Sequence, residues 1–419
     1  MSLKILLSGG GTGGSITPLL AIAEELVSSR KEVDSLWIGS KKGIEKEMVE
    51  KEKIRFKAIY SGKLRRYFDL KNFIDPIFII IGFFQSLWII LRYQPDIILT
   101  AGSFIAVPVV WAGWILRIPV LVHQQDVEVG RANKLMAPFA SIITCSLEES
   151  VRNFLHNEGE TSPVRRVGGK SRLRQIYFTG NAVRRKILEA HTLTPPFDKL
   201  PATECGAGRT GHTHQKFGVV ADSFKGGENR LPTLLILGGG TGAFAVNKIV
   251  VQSIPELVKI CNVVHVTGDK FPSLGGEGRS RVFARITLDT HKALDFKFSD
   301  RYHSYPFLNN IEEALTSADI VISRCGMSFL SELAVLGKPS ILIPIPDSHQ
   351  EANAKYFGNR NAAIILNQKK LTPEILIYTV RGILKDKNKT RELSENISKI
   401  MPSDGASRIA KIVMKYILK

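Results

Sequence analysis

Cysteine is scarce in this chain. There are four in 419 residues, Cys145, Cys205, Cys261 and Cys325, with no C-x-x-C pair among them. That argues against a disulfide framework and against a cysteine-based zinc site, and it fits a reducing cytoplasm. Acidic residues are also in the minority, 39 against 57 lysines and arginines, for a formal net charge of +18. The surplus favours anionic partners such as phosphorylated ligands, acidic lipid or nucleic acid. No aromatic-basic motif supports the last, so no nucleic-acid partner is expected. Residues 1–14 read as a short strand and a glycine loop, without the apolar core of a signal peptide. Long apolar runs are missing too. The longest, Ile77 to Leu91, is fifteen residues and is interrupted by Gln85 and Ser86, whereas a bilayer span takes roughly 20. The segment 73–91 therefore reads either as a buried helix or as one lying on a membrane surface. Lys63, Arg65, Arg66 and Lys71 precede it and Arg92 follows. Such bracketing suits an interfacial anchor on anionic lipid, with Phe84 and Trp88 as its apolar contacts.

What is present is rhythm. A chain of 419 residues suits two domains. The apolar runs 4–8, 35–40, 96–100, 119–124 and 141–146 read as buried strands, with helical patterns such as 18–30 and 105–117 between them. The alternation resumes at 233–238, 263–268, 319–323 and 340–345. Strands alternating with helices imply parallel sheets. Residues 193–231 and 270–300 carry neither period and read as irregular inserts. The closing stretch "GASRIAKIVMKYILK" reads as an amphipathic helix.

Glycine is concentrated in two places. "LLSGGGTGGSITP" begins at Leu6 and "LLILGGGTGAFAVN" at Leu234, each following a strand and opening a helix. Both fit G-x-G-x-x-G/A, with Gly9, Gly11 and Gly14 in the first and Gly238, Gly240 and Ala243 in the second. Backbone amides at such a turn can approach an anion closely, and the helix N-terminus adds partial positive charge. Thr17 is placed to cap the first helix. A nicotinamide dinucleotide is disfavoured, because the second strand runs into "WIGSKKG", with lysines where a ribose-binding carboxylate is wanted. No Gly-Lys-Ser/Thr follows either loop, so neither is a Walker motif.

The second half carries "SRCGMSFLSELAVLGKPSILIPIPDSHQEANA" from Ser323. A strand ends at Ser323, a helix starts near Ser328, and Gly337 ends it. Glu332 lies about one turn into that helix, where a carboxylate can accept both hydroxyls of a ribose. Gln350 and Asn353 follow the next strand at the sheet edge where open α/β sheets bind ligands, and amides suit sugar hydroxyls. The plainer readings are a solvated carboxylate for Glu332 and a helix cap for Asn353.

Together "GGGTGGSITPLLAIAEEL", "LVHQQDVEVGRANK", "GNAVRR", "LLILGGGTGA" and the 323–354 segment resemble, in order, one family. It is the bacterial UDP-N-acetylglucosamine:N-acetylmuramyl-(pentapeptide)-pyrophosphoryl-undecaprenol N-acetylglucosaminyltransferases, which complete lipid II. The resemblance implies an α/β chain of the GT-B class, two Rossmann-like domains with parallel sheets facing across a cleft. Residues 1–183 would form the acceptor and membrane-docking domain and 184–403 the UDP-sugar domain, with a helix at 404–419 able to fold back on the first. It implies inverting, metal-independent transfer of N-acetylglucosamine from UDP to the muramyl 4-hydroxyl, with no cofactor. The partners would be UDP-N-acetylglucosamine, an undecaprenyl-linked acceptor and an anionic membrane surface, at the cytoplasmic face of the membrane. By motif, Thr12, Gly13 and Gly14 belong to the first glycine loop and Gly240 to the second. Arg184 is the donor-contacting arginine, the Leu308 backbone meets uracil, and Met327, Ser328, Phe329, Leu330, Ser331 and Glu332 line the uridine. Gln350 contacts the transferred sugar.

The chain departs from the family pattern in places. Ser15 stands where the family usually has histidine, "HQQD" replaces "HEQN", and Gly240 replaces a serine. A hydroxyl is a poor base near neutral pH, so Asp126 is the candidate base beside Ser15, unless it merely caps the next helix. Two other readings stand beside this one. One is a related UDP-sugar transferase acting on another lipid, such as a diacylglycerol. The other is a catalytically silent UDP-sugar-binding protein at the membrane.

Overall fold

The computed structural model describes residues 2–29, 32–41, 43–62, 71–158, 175–193, 231–238, 243–268, 301–308 and 310–418. The inserts expected at 193–231 and 270–300 lie outside these residues, apart from 193 and 231. So do Gly240, Lys63, Arg65 and Arg66.

Seven strands form the first sheet. They are β1 (Leu3–Ser8), β2 (Val33–Ser40), β3 (Arg55–Ile59), β4 (Ile97–Thr100), β5 (Val120–Gln124), β6 (Ile142–Cys145) and β7 (Gln175–Phe178). Their order is β3-β2-β1-β4-β5-β6-β7, and every pairing is parallel. The second sheet holds β8 (Thr233–Leu237), β9 (Asn262–Val266), β10 (Tyr302–Tyr305), β11 (Ile320–Ser323), β12 (Ser340–Leu342) and β13 (Ile364–Ile365). Its order is β10-β9-β8-β11-β12-β13, again parallel throughout. The middle strands β4, β5 and β6 are buried along their whole length, which is why they read as unbroken apolar runs.

In each sheet the strand order reverses once, between β1 and β4 and between β8 and β11. Crevices at such switch points, at the carboxyl ends of the strands, are where open α/β sheets take ligands. The first glycine loop follows β1 and so stands at a switch point.

The chain divides into two compact units. The first is residues 1–185, 326–332 and 401–419; the second is 186–325 and 333–400. The last helix, Gly405–Ile417, belongs to the first unit and packs on the helix Thr17–Ser29. Ala406, Ile409, Ala410 and Val413 recur at helical spacing and are buried with Leu19, Ile22 and Leu26. Burying Ile409 and Val413 contributes about 1.5–3 kcal/mol each.

The greasy segment forms one helix, Lys71–Tyr93. Ile89 and Ile90 face the core, whereas Ile77, Ile80, Phe84, Trp88 and Leu91 make an exposed stripe, Phe84 at 62% and Trp88 at 55%. The two readings of this segment thus describe its two faces. No helix among the described residues is long and apolar enough to cross a membrane.

Candidate functional site

The loop after β1 is held residue by residue. Gly9 O accepts from Trp37 Nε1 at 3.0 Å. Gly10 N–H donates to Ser15 Oγ at 3.2 Å, and that hydroxyl lies within donating reach of Gly10 O at 3.1 Å and Thr12 O at 3.3 Å. Gly11 N–H donates to Glu45 Oε2 at 3.1 Å. Ser15 is buried and tied into its own loop, so it braces the turn. Thr17 does not cap the helix as expected. It is already inside it, and its hydroxyl donates back to Gly13 O at 3.1 Å.

The segment after β2 also differs from expectation. Lysines follow β2 where a ribose-binding carboxylate is wanted, yet a carboxylate from further along the chain reaches the glycine loop. Glu45, at the start of the helix Glu45–Lys51, is fully buried. Oε1 accepts from Ser40 N–H at 2.7 Å and from Ser40 Oγ. Periodicity carries no sign of this, because the acid lies past the strand end, on a turn whose path it does not specify.

Gly14 closes the loop, and its carbonyl accepts from Gln125 Nε2 and Ser328 Oγ, both at 2.8 Å. Gln125 is a node that motif reading missed. Its Nε2 also reaches Ala101 O at 3.1 Å, and its Oε1 accepts from Ser328 Oγ at 2.7 Å. Asn181 Nδ2 donates to Ser331 Oγ at 2.8 Å. Its Oδ1 lies 2.9 Å from His123 Nε2, and His123 Nδ1 lies 2.9 Å from Thr144 Oγ1. Burial pushes the pKa of His123 down to about 4, so the ring is neutral at physiological pH. It is a structural histidine set away from solvent.

Asp126 follows β5 and is partly buried. Its carbonyl accepts from Gln124 Nε2 at 2.7 Å and Ser150 Oγ at 3.0 Å, so its backbone is fixed. The N-cap position of the helix Arg131–Met136 is Gly130. His123 and Asn133, on β5 and the next helix, bond to other residues. Asn133 Nδ2 donates to Gln124 Oε1 at 2.6 Å.

Six of the expected donor residues open the helix Met327–Val335. Met327, Leu330 and Ser331 are buried, whereas Ser328 and Phe329 are partly exposed. Glu332 is 5% exposed, and its Oε1 accepts from Arg184 Nε and Nη2, each at 2.9 Å. The structure thus brings Arg184 and Glu332 together as an ion pair. Glu332 is not the solvated carboxylate of the plainer reading.

In the second unit, Gln350 Oε1 accepts from Cys325 N–H and Ile345 N–H, each at 3.2 Å. Asn353 lies inside the helix Gln350–Gly358 rather than at its cap, is fully buried, and donates to Cys325 O at 3.0 Å. Its amide thereby braces the turn after β11. Arg324 Nη1 donates to Ile343 O at 3.0 Å. Leu308 is buried just past β10. His265 sits between Tyr302 Oη and Asn247 Oδ1, both at 3.1 Å, and burial pushes its pKa down to about 3. Burial pushes the thiols of Cys145, Cys261 and Cys325 up to about 12, so they are inert at neutral pH. Among the described residues no three His, Cys, Asp or Glu side chains come together as a metal site.

With this geometry in hand, the comparisons with known proteins are specific. Residues 5–144 match the model of the glycosyltransferase family 28 N-terminal domain, and 233–409 that of the family 28 C-terminal domain. The chain is 31% identical over 420 residues to a UDP-N-acetylglucosamine--N-acetylmuramyl-(pentapeptide) pyrophosphoryl-undecaprenol N-acetylglucosamine transferase of Clostridium botulinum, covering 99% of both chains. It is likewise 31% identical over 425 residues to the protein of that name from Desulforamulus reducens. Among solved structures it resembles Acinetobacter baumannii MurG, with a TM-score of 0.64, 18% identity and 99% of each chain covered. It also resembles a putative UDP-N-acetylglucosamine 2-epimerase from Listeria monocytogenes, with a TM-score of 0.66, 12% identity, and 100% and 97% covered. At such identities the likeness is one of fold, which transferases and an epimerase share here.

Proposed function

This chain belongs to glycosyltransferase family 28, and on that premise we propose that it moves N-acetylglucosamine from UDP-N-acetylglucosamine to the 4-hydroxyl of an undecaprenyl-pyrophosphoryl-N-acetylmuramyl-pentapeptide. The observation that carries this reading is the end-to-end match to transferases named for that reaction. Residues 184–403 serve the donor and 1–183 the acceptor and the membrane.

On the donor side, Glu332 exchanges Arg184 for the ribose hydroxyls when UDP arrives. The guanidinium so released meets the diphosphate, a planar cation suited to bidentate phosphate contact. The N-terminus of the helix Met327–Val335 adds its partial positive charge. Together they stabilise the departing UDP, the charge that a metal carries in other transferases. The Leu308 backbone meets uracil, and Gly240 a phosphate. Gln350 spends its oxygen on Cys325 and Ile345, which leaves its Nε2 hydrogens for a sugar hydroxyl.

On the acceptor side, Thr12, Gly13 and Gly14 hold the acceptor diphosphate. Asp126 takes the proton as the 4-hydroxyl attacks the anomeric carbon opposite UDP, inverting it. Support for Asp126 comes from its neighbour, since Gln125 reaches Gly14 O and so brings the turn after β5 beside the glycine loop. The exposed stripe Ile77, Ile80, Phe84, Trp88 and Leu91 rests on the anionic cytoplasmic face of the membrane, where the acceptor's lipid resides. An apolar pocket of ≈ 420 Å³, with Phe83, Trp111, Trp114 and Phe139 in its walls, adjoins it. Arg92 lies over the Trp88 ring at 4.3 Å, ready for lipid phosphate.

A turnover assay with UDP-N-acetylglucosamine tests the reading. Product with a lipid I analogue is expected. Product only with diacylglycerol would assign another lipid acceptor, and UDP binding with no product from either would make the chain a silent sugar-nucleotide binder.

A further inference from the structure

Glu45 has no part in the chemistry above, yet it is among the most enclosed charged side chains in the molecule, with no exposed surface. A carboxylate only accepts hydrogen bonds, and the groups around this one all donate. They are Gly11 N–H, Ser40 N–H and Ser40 Oγ. Among the described residues no lysine or arginine forms an ion pair with it. Such burial is tolerated only where every oxygen is satisfied. The backbone makes room for it, since a Cβ on Gly10 or Gly43 would overlap the carboxylate itself.

The position matters more than the burial. Gly11 N–H belongs to the amides that a glycine-rich strand-to-helix turn offers to phosphate. Here it is already occupied by the chain's own anion. Trp37, Ser15 and Glu45 pin Gly9, Gly10 and Gly11 in turn. Gly11 and Thr12 are exposed, and Gly13 and Gly14 are partly exposed. The amides of Gly10 and Gly11 are held by side-chain oxygens of the chain itself.

We propose that Glu45 is the positioning residue of this loop: its carboxylate fills the phosphate seat at Gly11, which shuts the loop to a nucleotide diphosphate and fixes the amides of Thr12 to Gly14 for the acceptor. The acceptor half of this statement rests on the function proposed above. Glu45→Gln keeps the shape but turns one accepting oxygen into a donor, which must then face Gly11 N–H or Ser40. Hydrogen bonds to a charged group are worth enough that roughly a tenfold to hundredfold change follows. In steady-state kinetics, E45Q should lower kcat/KM for a polyprenyl-diphosphoryl N-acetylmuramyl-peptide analogue by that factor. KM for UDP-N-acetylglucosamine and UDP affinity by calorimetry should stay within about twofold. Ser40→Ala removes one donor and should act in the same direction to a smaller extent, which serves if E45Q folds poorly. Unchanged acceptor kinetics would overturn the proposal, and so would a parallel loss of donor affinity, acceptor kinetics and thermal stability. Amide hydrogen exchange over residues 8–16 needs no substrate. It should quicken in E45Q, and unchanged exchange would refute the pinning even if the wild type proved to use another acceptor.

Discussion

Glu45 and Glu332 are both almost wholly removed from solvent, at 0% and 5% exposure, and they are held in opposite ways. Glu45 is gripped by backbone amides and a serine on its own loops. Such partners cannot leave without rebuilding the turn. Glu332 faces a guanidinium that is 31% exposed and hangs on a flexible stem. That partner can swing away and be replaced by ligand hydroxyls. Burial alone therefore does not tell an anchor from a binding group; the mobility of the partner does.

A third carboxylate offers a contrast in burial, because Asp126 is only partly buried whereas Glu45 is fully enclosed. If it is the base, Asp126→Ala should lower turnover by about 10²–10⁴-fold with UDP affinity kept. Ser15→Ala should cost far less turnover, although it strands the buried Gly10 N–H and should lower the melting temperature. Steady-state kinetics beside a thermal melt separates the two, and near-wild-type turnover in Asp126→Ala would leave the proton acceptor unassigned.

The comparison itself is tested next. Glu332→Ala should weaken UDP binding roughly tenfold to a hundredfold, the loss of hydrogen bonds to a charged group, with little loss of stability because Arg184 can turn to water. Glu45→Ala should do the reverse, lowering the melting temperature and leaving UDP affinity alone. Calorimetry and melts on both variants should cross. If both lose stability alike, Glu332 is an anchor as well.

How far could these distinctions be read from the chain? The central strands could, because burial on both faces writes them as continuous apolar runs. The strands that escaped, β3, β7, β10 and β13, are the outer strands of the two sheets. One face or edge of each meets less core, and β3 shows it, with Arg55, Lys57 and Ala58 exposed, Phe56 half-buried and Ile59 buried. The donor motif was legible because Arg184 and Glu332 stand in recognisable segments. Glu45, Gln125 and Asn181 were not, since each acts through a long-range hydrogen bond that no local spacing encodes. The bond from Asn353 to Cys325 O was not legible for a related reason: position at a sheet edge does not say whether an amide points outward or braces the turn beside it.

A smaller effect concerns the membrane face. Trp88→Glu should reduce binding to anionic liposomes by about tenfold, the order expected for losing one large apolar side chain. It should leave the melting temperature unchanged because the ring is 55% exposed. Loss of stability without loss of lipid binding would return Trp88 to the core.

The smallest effect is one of pH. His123 and His265 have folded-state pKa values depressed by burial to about 4 and about 3, below the unfolded value of about 6.5. Both states are neutral above about pH 6.5, so the stability from these sites is fully present there. As pH falls below that value the unfolded chain takes up protons first, and stability is lost until the folded pKa values are reached. Melting temperature should be flat from about pH 7 to 8 and fall from 6.5 towards 4. His123→Asn should flatten part of that fall, and an unchanged profile would remove His123 as its source.

Inverting transfer to a lipid-linked muramyl acceptor is read most plainly from the product. Mass spectrometry and proton NMR of the acceptor after incubation with UDP-N-acetylglucosamine should find one added N-acetylhexosamine, β-linked at the 4-position. An α-linked sugar, or UDP released with no sugar on the acceptor, would contradict it.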